Sequence, residues 1–170
     1  MDRLSFDEYG CLLALMAKSR SEDPFTKVGG AAFNKEGRCL ATAYNGLSRG
    51  AILPDWMNLE ENRVRKNDYF IHCEANLCSL LKRGECETVY LTISPCVSCC
   101  QNLVALGVKR VVYLKEYHRC NKFKEFFIFH RVSYEELDDQ SKQNILNYIK
   151  ELNNFEELFK KRDWLLKIFW

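Results

Sequence analysis

The sequence has no apolar run approaching the roughly 20 residues that a membrane-spanning helix requires, which excludes a transmembrane span. It also has no excess of one charge. The 25 Lys and Arg residues are balanced by 23 Asp and Glu residues, and a net charge of +2 does not indicate a long nucleic acid as partner. With 47% hydrophobic residues in 170 and no interdomain linker, we expect one soluble domain with its own core.

Cysteine is abundant, with nine residues, but the number is odd. The opening segment, Met1 to Glu8, is too acidic and too interrupted for a secretory signal peptide. Both observations disfavour the disulfide framework of a small secreted protein. We therefore expect a reducing, cytoplasmic compartment.

The pattern of apolar residues predicts alternating helices and strands. Ser5 and Glu8 have the spacing of a capping box, which opens an amphipathic helix that we expect to end near residues 19–21. The β-α-β-α-β order of the following segments implies a central sheet covered by helices. The predicted strands cover residues 28–33, 38–44, 88–93, 110–114 and 126–132, and the predicted helices cover residues 72–82 and 96–106.

Two further stretches have their own interpretation. Residues 47–68 are polar and have no clean period, and loops of that length are usually functional or ordered by a ligand. Ser133 and Glu136 again have capping-box spacing and predict a C-terminal helical extension from about residue 134. Its apolar stripe consists of Ile145, Ile149, Leu152, Phe155 and Phe159.

The chemistry is concentrated in two short motifs, His-Cys-Glu at 72–74 and Pro-Cys-Val-Ser-Cys at 95–99. His72, Cys96 and Cys99 are one ligand fewer than tetrahedral zinc takes, so a water can occupy the fourth position, as in catalytic rather than structural sites. Both motifs fall at predicted helix N-termini, where the helix dipole favours thiolate over thiol. Ser94 is the N-cap candidate of the second helix, and Pro95 suits its first turn.

Glu74 is not needed as a ligand, so it can face the metal-bound water. Zinc lowers the pKa of that water to about 7, and a carboxylate can carry its proton to a leaving amine. The H-x-E and P-C-x-x-C arrangement resembles the signature of zinc nucleobase deaminases. The alternative is a zinc knuckle, or buried thiols near an unrelated histidine. Two motifs in the right order, each opening a helix, favour the catalytic interpretation.

Segments outside the metal motifs resemble the deoxycytidylate (dCMP) deaminase family. Residues 21–30, Ser-Glu-Asp-Pro-Phe-Thr-Lys-Val-Gly-Gly, contain its S-x-D-P-x-x-x-V-G pattern, and residues 43–46 contain its Y-N-G, followed by a long insertion before H-x-E. The resemblance runs from about Ser21 to His118. It implies a three-layer α/β/α cytidine-deaminase-like fold with a central mixed five-stranded sheet, in a single domain over residues 1–170. It also implies deamination of dCMP to dUMP, with release of ammonia, feeding dTMP synthesis.

The family pattern also implies roles for individual residues. His72, Cys96 and Cys99 would bind Zn²⁺, and Glu74 would protonate the ring nitrogen and shuttle the proton of the water. The implied substrate-binding residues are Asn45 at the sugar, Tyr117 near the nucleotide, and Ser21 and Thr26 in a loop facing the 5′-phosphate. Four scattered basic residues are further phosphate candidates, although such residues are most often solvated surface: Arg20, Lys27, Arg49 and Arg63.

The resemblance further implies a homo-oligomer, such as a hexamer, and dCTP and dTTP as effectors. The family often has a proline two residues after Y-N-G, in a loop linked to that regulation. This chain has Ser48 there, within Leu47-Ser48-Arg49-Gly50. The departure puts allosteric control in doubt.

Three other functions stay open at this point. A dCTP deaminase would use the same site. A catalytically silent nucleotide sensor or assembly subunit would retain zinc for stability, but a purely structural site has no evident use for Glu74. Adenosine deamination on transfer RNA shares the zinc motif, but it is disfavoured by the S-x-D-P and Y-N-G segments and by the absence of a basic tail.

Overall fold

A computed structural model describes residues 3–117 and 122–153. Its strands are β1 (Gly29–Phe33), β2 (Cys39–Tyr44), β3 (Thr88–Leu91), β4 (Arg110–Tyr113) and β5 (Ser133–Glu136). They form one five-stranded sheet in the order β2-β1-β3-β4-β5. β1 runs antiparallel to β2 and β3, whereas β3, β4 and β5 are parallel. The predicted α/β fold with a mixed five-stranded sheet is confirmed.

In the described ranges, six α-helices accompany the strands. They are α1 (Phe6–Lys18), α2 (Arg63–Lys66), α3 (Cys73–Ser79), α4 (Val97–Leu106), α5 (Lys122–Phe129) and α6 (Asp139–Asn153). None of the helices in the described ranges has the length and apolar character that crossing a bilayer requires.

The alternation of side chains along each strand divides the core between the two faces of the sheet. On β3, Val89 and Leu91 pack with α3, α4 and α5 on one face, while Tyr90 packs with α1 and α6 on the other. β4 repeats the pattern, with Val111 on the first face and Val112 on the second. The result is the predicted three-layer α/β/α arrangement.

The opening helix has the predicted boundaries and cap. The backbone N–H of Ser5 donates to the Glu8 carboxylate at 2.6 Å, and the N–H of Glu8 donates to the Ser5 hydroxyl at 3.2 Å. These reciprocal bonds satisfy two amides that lack helical partners. α1 then lies against β1 so closely that a Cβ on Gly29 would be 2.1 Å from the carbonyl oxygen of Ala14.

The prediction of a fifth strand over residues 126–132 is wrong. That run belongs largely to α5, which buries Phe123 and Phe127 and exposes Ile128 and Phe129. Positions i and i+4 of a helix share a face, so this burial pattern is helical. A short apolar run does not distinguish a strand from a buried helix by periodicity alone, which is why the sequence was ambiguous.

The C-terminal helix begins at Asp139 rather than near residue 134, because residues Ser133–Glu136 form the edge strand β5 beside β4. The capping-box spacing of Ser133 and Glu136 was therefore misleading. Asp138 takes the capping role instead, since its carboxylate accepts the backbone N–H of Ser141 at 3.0 Å. Ile145 is buried and Ile149 packs against the same cluster, as predicted. Phe155 and Phe159 lie outside the described residues.

Candidate active site

Two helix N-termini meet at one end of the sheet and carry both motifs. His72 is the N-cap of α3, and Cys96 is the N-cap of α4. The two helices pack side by side, as the metal motif requires. The prediction that Ser94 is the N-cap and that Pro95 suits the first helical turn was wrong, because Cys96 is the N-cap. The chain stays extended through Cys96, and the Ser94 hydroxyl accepts the backbone N–H of Tyr117 at 2.8 Å.

This packing brings the three predicted ligands together. The Nδ1 atom of His72 lies 3.3 Å from Cys99 Sγ and 3.6 Å from Cys96 Sγ, and the three ligand atoms all lie within 4.8 Å of one another. With metal distances of about 2.3 Å to sulfur and about 2.0 Å to nitrogen, tetrahedral zinc separates a nitrogen from a sulfur ligand by about 3.5 Å. The cluster therefore fits zinc.

The two thiols of the cluster have opposite protonation preferences. A hydrogen bond from Cys99, together with others from His72 and Ser98, lowers the pKa of Cys96 to about 3. The same contact with Cys96, followed by burial, raises the pKa of Cys99. The hydrogen bond to Cys96 also raises the pKa of His72. Zinc is held by thiolates, so metal binding must displace any proton that the cluster holds.

Glu74 lies beside this cluster without belonging to it. It is the second residue of α3, its exposed fraction is 5%, and burial raises the pKa of its carboxyl group. It also lines the neighbouring cavity. A carboxyl group whose pKa is raised toward the working pH can both accept and release a proton. Its catalytic role, predicted from the motif, is compatible with this place.

The cavity beside the cluster has a volume of about 350 Å³, within the range of small-molecule sites. Its wall is formed by five short segments and one isolated side chain, Asn45. The segments are residues 23–28, 63–70, 72–74, 93–96 and 115–117, each contributing some of its side chains.

The stretch 47–68, expected to be an irregular loop, contains short helices. They are the 3₁₀ turns Asp55–Asn58 and Glu60–Asn62, followed by α2. Aromatic contacts help to hold them, because the rings of Trp56 and Tyr69 are 5.5 Å apart and the Arg65 guanidinium lies 4.5 Å from the Trp56 ring centroid. α2 and the residues after it form one side of the cavity.

Two of the predicted substrate-binding residues, Thr26 and Tyr117, line the cavity. Asn45 lines it as well, but its amide group is engaged within the protein. Its Oδ1 accepts from the Ser21 hydroxyl and the Val28 N–H, both at 2.7 Å. Its Nδ2 donates to Asp23 Oδ2 at 3.1 Å and to the Thr26 carbonyl at 2.8 Å. These bonds use the full capacity of an amide, so Asn45 organises the loop over residues 21–28.

Ser21 is placed differently from the prediction. It is buried and, unlike Thr26, it is not among the residues that line the cavity. Its hydroxyl donates to Asn45, so Ser21 supports the loop from a position outside the cavity lining.

Among the four scattered basic candidates, Arg63 lines the cavity, and the lining does not include Arg20, Lys27 or Arg49. Sequence reasoning missed Lys66 and Lys115, which do line it. Lys66 is 2% exposed. It stands in the basic run Arg63-Val64-Arg65-Lys66, whose composition suggests a solvated surface, and its partner Asp23 is 43 residues away. No local signal marks this lysine as buried.

Residues 4–115 match the family described as the cytidine and deoxycytidylate deaminase zinc-binding region. The chain belongs to this family. The matched region contains the cluster of His72, Cys96 and Cys99, so zinc is the cofactor of this deaminase-family protein.

Individual family members are similar over most of the chain. The deoxycytidylate deaminase of Homo sapiens is 29% identical over 126 residues, which are 69% of each protein. The deoxycytidylate deaminase of Mycobacterium phage D29 is 32% identical over 130 residues, covering 68% of this chain and 99% of the phage protein. The predicted membership of the deoxycytidylate deaminase family is confirmed.

The fold is also that of the family. The structure is similar to the dCMP deaminase of cyanophage S-TIM5, with a TM-score of 0.64 and 22% identity over 80% of this chain and 100% of the phage chain. A second structure of that phage enzyme, in complex with dCMP and dUMP, has a TM-score of 0.59 at 22% identity and covers 78% of this chain and 93% of that chain. The predicted cytidine-deaminase-like fold is confirmed.

Proposed function

We propose that this protein is a zinc-dependent hydrolase that converts dCMP and water to dUMP and ammonia. The observation that carries the proposal is the position of Glu74, a buried carboxyl group that lines the cavity beside the cluster of His72, Cys96 and Cys99 without belonging to that cluster. Two relatives of this protein, from Homo sapiens and from phage D29, are both named deoxycytidylate deaminase and support the choice of substrate.

In this proposal His72, Cys96 and Cys99 hold the metal. Zinc with three protein ligands supplies a Lewis acid and an activated water near neutral pH. Glu74 would accept the first proton of the attacking water as C4 of the cytosine ring is attacked and would deliver it to the ring nitrogen. It would then take the second proton from the hydroxyl group left on C4 and pass it to the departing amine. Burial raises the pKa of Glu74, which favours the protonated form of its carboxyl group.

The charges of the cavity wall support a monophosphate over a triphosphate. Lys66 is neutralised by Asp23, whose Oδ2 is 2.5 Å from Lys66 Nζ. Among the described residues, Arg63 and Lys115 are the other lysine and arginine side chains of the cavity lining, and Arg63 also pairs with Glu60 at 2.9 Å. With at most these two further cations in its wall, the cavity suits the charge of about −2 on one phosphate group better than the larger charge of a triphosphate. Thr26 and Tyr117 complete the proposed substrate contacts.

The deciding experiment combines metal analysis with ammonia release from dCMP, dCTP, CMP and cytidine. We expect zinc near one equivalent per chain and the highest kcat/KM on dCMP. A zinc-loaded protein without turnover on any of these would instead indicate a silent nucleotide sensor. A preference for dCTP would show that the charge argument for a monophosphate is wrong.

Glu74→Gln tests the assignment of roles within the site. The amide retains the size of the carboxyl group but cannot carry the proton, so turnover should fall by about 10²–10⁴-fold or more. Zinc content should stay near that of the unmodified protein, whereas the control Cys96→Ser should lose zinc. Equal loss of zinc in both variants would mean that Glu74 is a ligand and not the proton carrier.

Further expectations of the sequence stay part of this proposal. They are a single domain over residues 1–170, a cytoplasmic location, a homo-oligomer such as a hexamer, and regulation by dCTP and dTTP. Sedimentation velocity tests the assembly. Initial rates over a range of dCMP concentrations, with and without dCTP or dTTP, test the regulation, and hyperbolic curves that neither nucleotide shifts would exclude it.

A further inference from the structure

A buried ion pair joins two separate segments of the cavity wall. Asp23 belongs to the loop over residues 21–28, and Lys66 ends α2 in the later insertion. Lys66 Nζ lies 2.5 Å from Asp23 Oδ2, and the two side chains are 3% and 4% exposed. Both residues line the cavity. The contact therefore spans the wall from one segment to the other.

Asp23 also organises its own loop. Its Oδ1 accepts the backbone N–H groups of Phe25 at 2.8 Å and Thr26 at 3.0 Å. Its Oδ2 accepts from Asn45 Nδ2 at 3.1 Å in addition to Lys66. One carboxylate thus ties the backbone of the loop to the end of β2 and to α2. The two residues of this loop that it holds, Phe25 and Thr26, are both part of the cavity lining.

α2 contacts the same loop through a second set of interactions. The Phe25 ring is approached by two cations of α2, with Arg63 at 5.3 Å and Lys66 at 5.7 Å from its centroid. Lys66 also lies 4.5 Å from the centroid of the Phe70 ring. Cation–π attraction at these distances favours a fixed position of the ammonium group between the two rings. The ion pair and the aromatic contacts therefore hold the same two segments together.

A buried ion pair adds little to the net free energy of unfolding. The desolvation of both charges offsets much of their attraction, and an apolar pair of similar volume often serves stability as well or better. What such a pair does supply is one defined geometry. We propose that Asp23 and Lys66 are a positioning pair, which keeps α2 and the loop over residues 21–28 at the spacing that nucleotide binding requires. This inference rests on the proposed binding of dCMP in the cavity.

Lys66→Met tests the pair directly, because it removes the ammonium group and retains an apolar side chain. We expect KM for dCMP to rise by roughly tenfold or more and kcat to change by less than about threefold, since the metal cluster and Glu74 are untouched. The matched control is Lys142→Met, which removes the ammonium group paired with Glu136 at 2.7 Å, away from the cavity lining. It should leave KM unchanged. A folded Lys66→Met protein with unchanged KM would overturn the proposal, whatever its melting temperature.

Hydrogen exchange gives a measurement that does not depend on activity. Loss of the ion pair should speed hydrogen exchange of the Phe25 and Thr26 backbone amides in Lys66→Met but not in Lys142→Met. Unchanged protection of these two amides would also overturn the proposal. If the wild-type protein does not deaminate dCMP, the proposed substrate is wrong, and the exchange result alone decides whether the pair positions the loop.

The two partners should not be equivalent. Without Lys66, the charge of Asp23 still has three donors in reach, two backbone amides and Asn45 Nδ2, although the loop that carries the amides opens more often. Asp23→Asn instead leaves the ammonium group facing aromatic rings and an amide donor. Asp23→Asn should therefore lower the melting temperature more than Lys66→Met does, and the reverse order would contradict this account of the pair. Should Lys66→Met fail to fold, the double variant Asp23→Asn/Lys66→Met, which buries no charge, replaces it in the KM measurement with the same expected rise.

Discussion

Phe127→Ala should destabilise the protein strongly, while Phe129→Ala, two residues away on the same helix, should change its stability little. Phe127 is fully buried, with ring centroids at 6.2 Å from Phe123 and 6.1 Å from Tyr134. Phe129 is 81% exposed. In a strand the two positions would share one face, whereas in a helix they point in different directions. The pair of variants therefore tests the helical assignment of α5.

The expected magnitude follows from this burial. Replacing a buried phenylalanine by alanine costs about 3–5 kcal/mol, through lost transfer free energy and the cavity that remains. For a protein of 170 residues, 1 kcal/mol corresponds to about 2–4 °C in melting temperature. A loss of about 4 kcal/mol in Phe127→Ala thus predicts a decrease of about 8–16 °C. Phe129→Ala should stay within about 0.5 kcal/mol, as exposed substitutions usually do.

The assay is urea unfolding followed by far-ultraviolet circular dichroism, supported by thermal melts. Zinc must be held at one fixed excess, because a metal that binds the folded state adds stability by mass action. The m-values of the two variants should match that of the unmodified protein, so that midpoints report stability alone. Similar losses in Phe127→Ala and Phe129→Ala would refute the helical placement of this segment.

Two further predictions concern pH and the central residue of the first motif. The Arg110 guanidinium, with two contacts of 2.7 Å, holds the pKa of Asp7 below its usual 3.8, so this pairing stabilises the fold above that value and is lost as the pH falls through the lower folded pKa. Asp7→Asn should therefore destabilise the fold by about 1 kcal/mol at pH 6, which lowers the melting temperature, and the difference from the unmodified protein should shrink as the pH falls below 3.8. Parallel curves of melting temperature against pH would contradict this. Cys73→Ala should keep its zinc and most of its activity, since Cys73 Sγ is 3.3 Å from the Ala43 carbonyl on the sheet side and burial raises the pKa of its thiol. Depleted zinc in that variant would show that Cys73 supports the metal.

Local patterns predicted those parts of the fold that local forces create. The capping box of Ser5 and Glu8 is satisfied within one helical turn, so its three-residue spacing sufficed to place the start of α1. The same spacing failed at Ser133 and Glu136, where pairing with β4 provides the backbone hydrogen bonds instead. The prediction of a strand in the α5 segment was wrong for a related reason, because the burial of its side chains depends on which layers pack around it.

The residues of the site also fall into those that local spacing predicted and those that it did not. The spacing of His72, Cys96 and Cys99 predicted a cluster whose ligand atoms do lie together. Asn45 was predicted to face the substrate, and the structure shows its amide engaged in the loop over residues 21–28. Lys66 was not singled out at all, since its burial and its contact with Asp23 arise only when distant segments meet.

By itself, the sequence determined the family, the mixed α/β architecture and the candidate metal ligands with their neighbouring carboxylate. These depend on residue types at short, regular spacings, which local geometry constrains. Only the tertiary structure decided that Phe127 lies in a helix, that Ser21 and Asn45 brace a loop, and that Asp23 and Lys66 join the two sides of the cavity. Such roles depend on burial and on partners far apart in the chain, and neither quantity is written in the local order of residues.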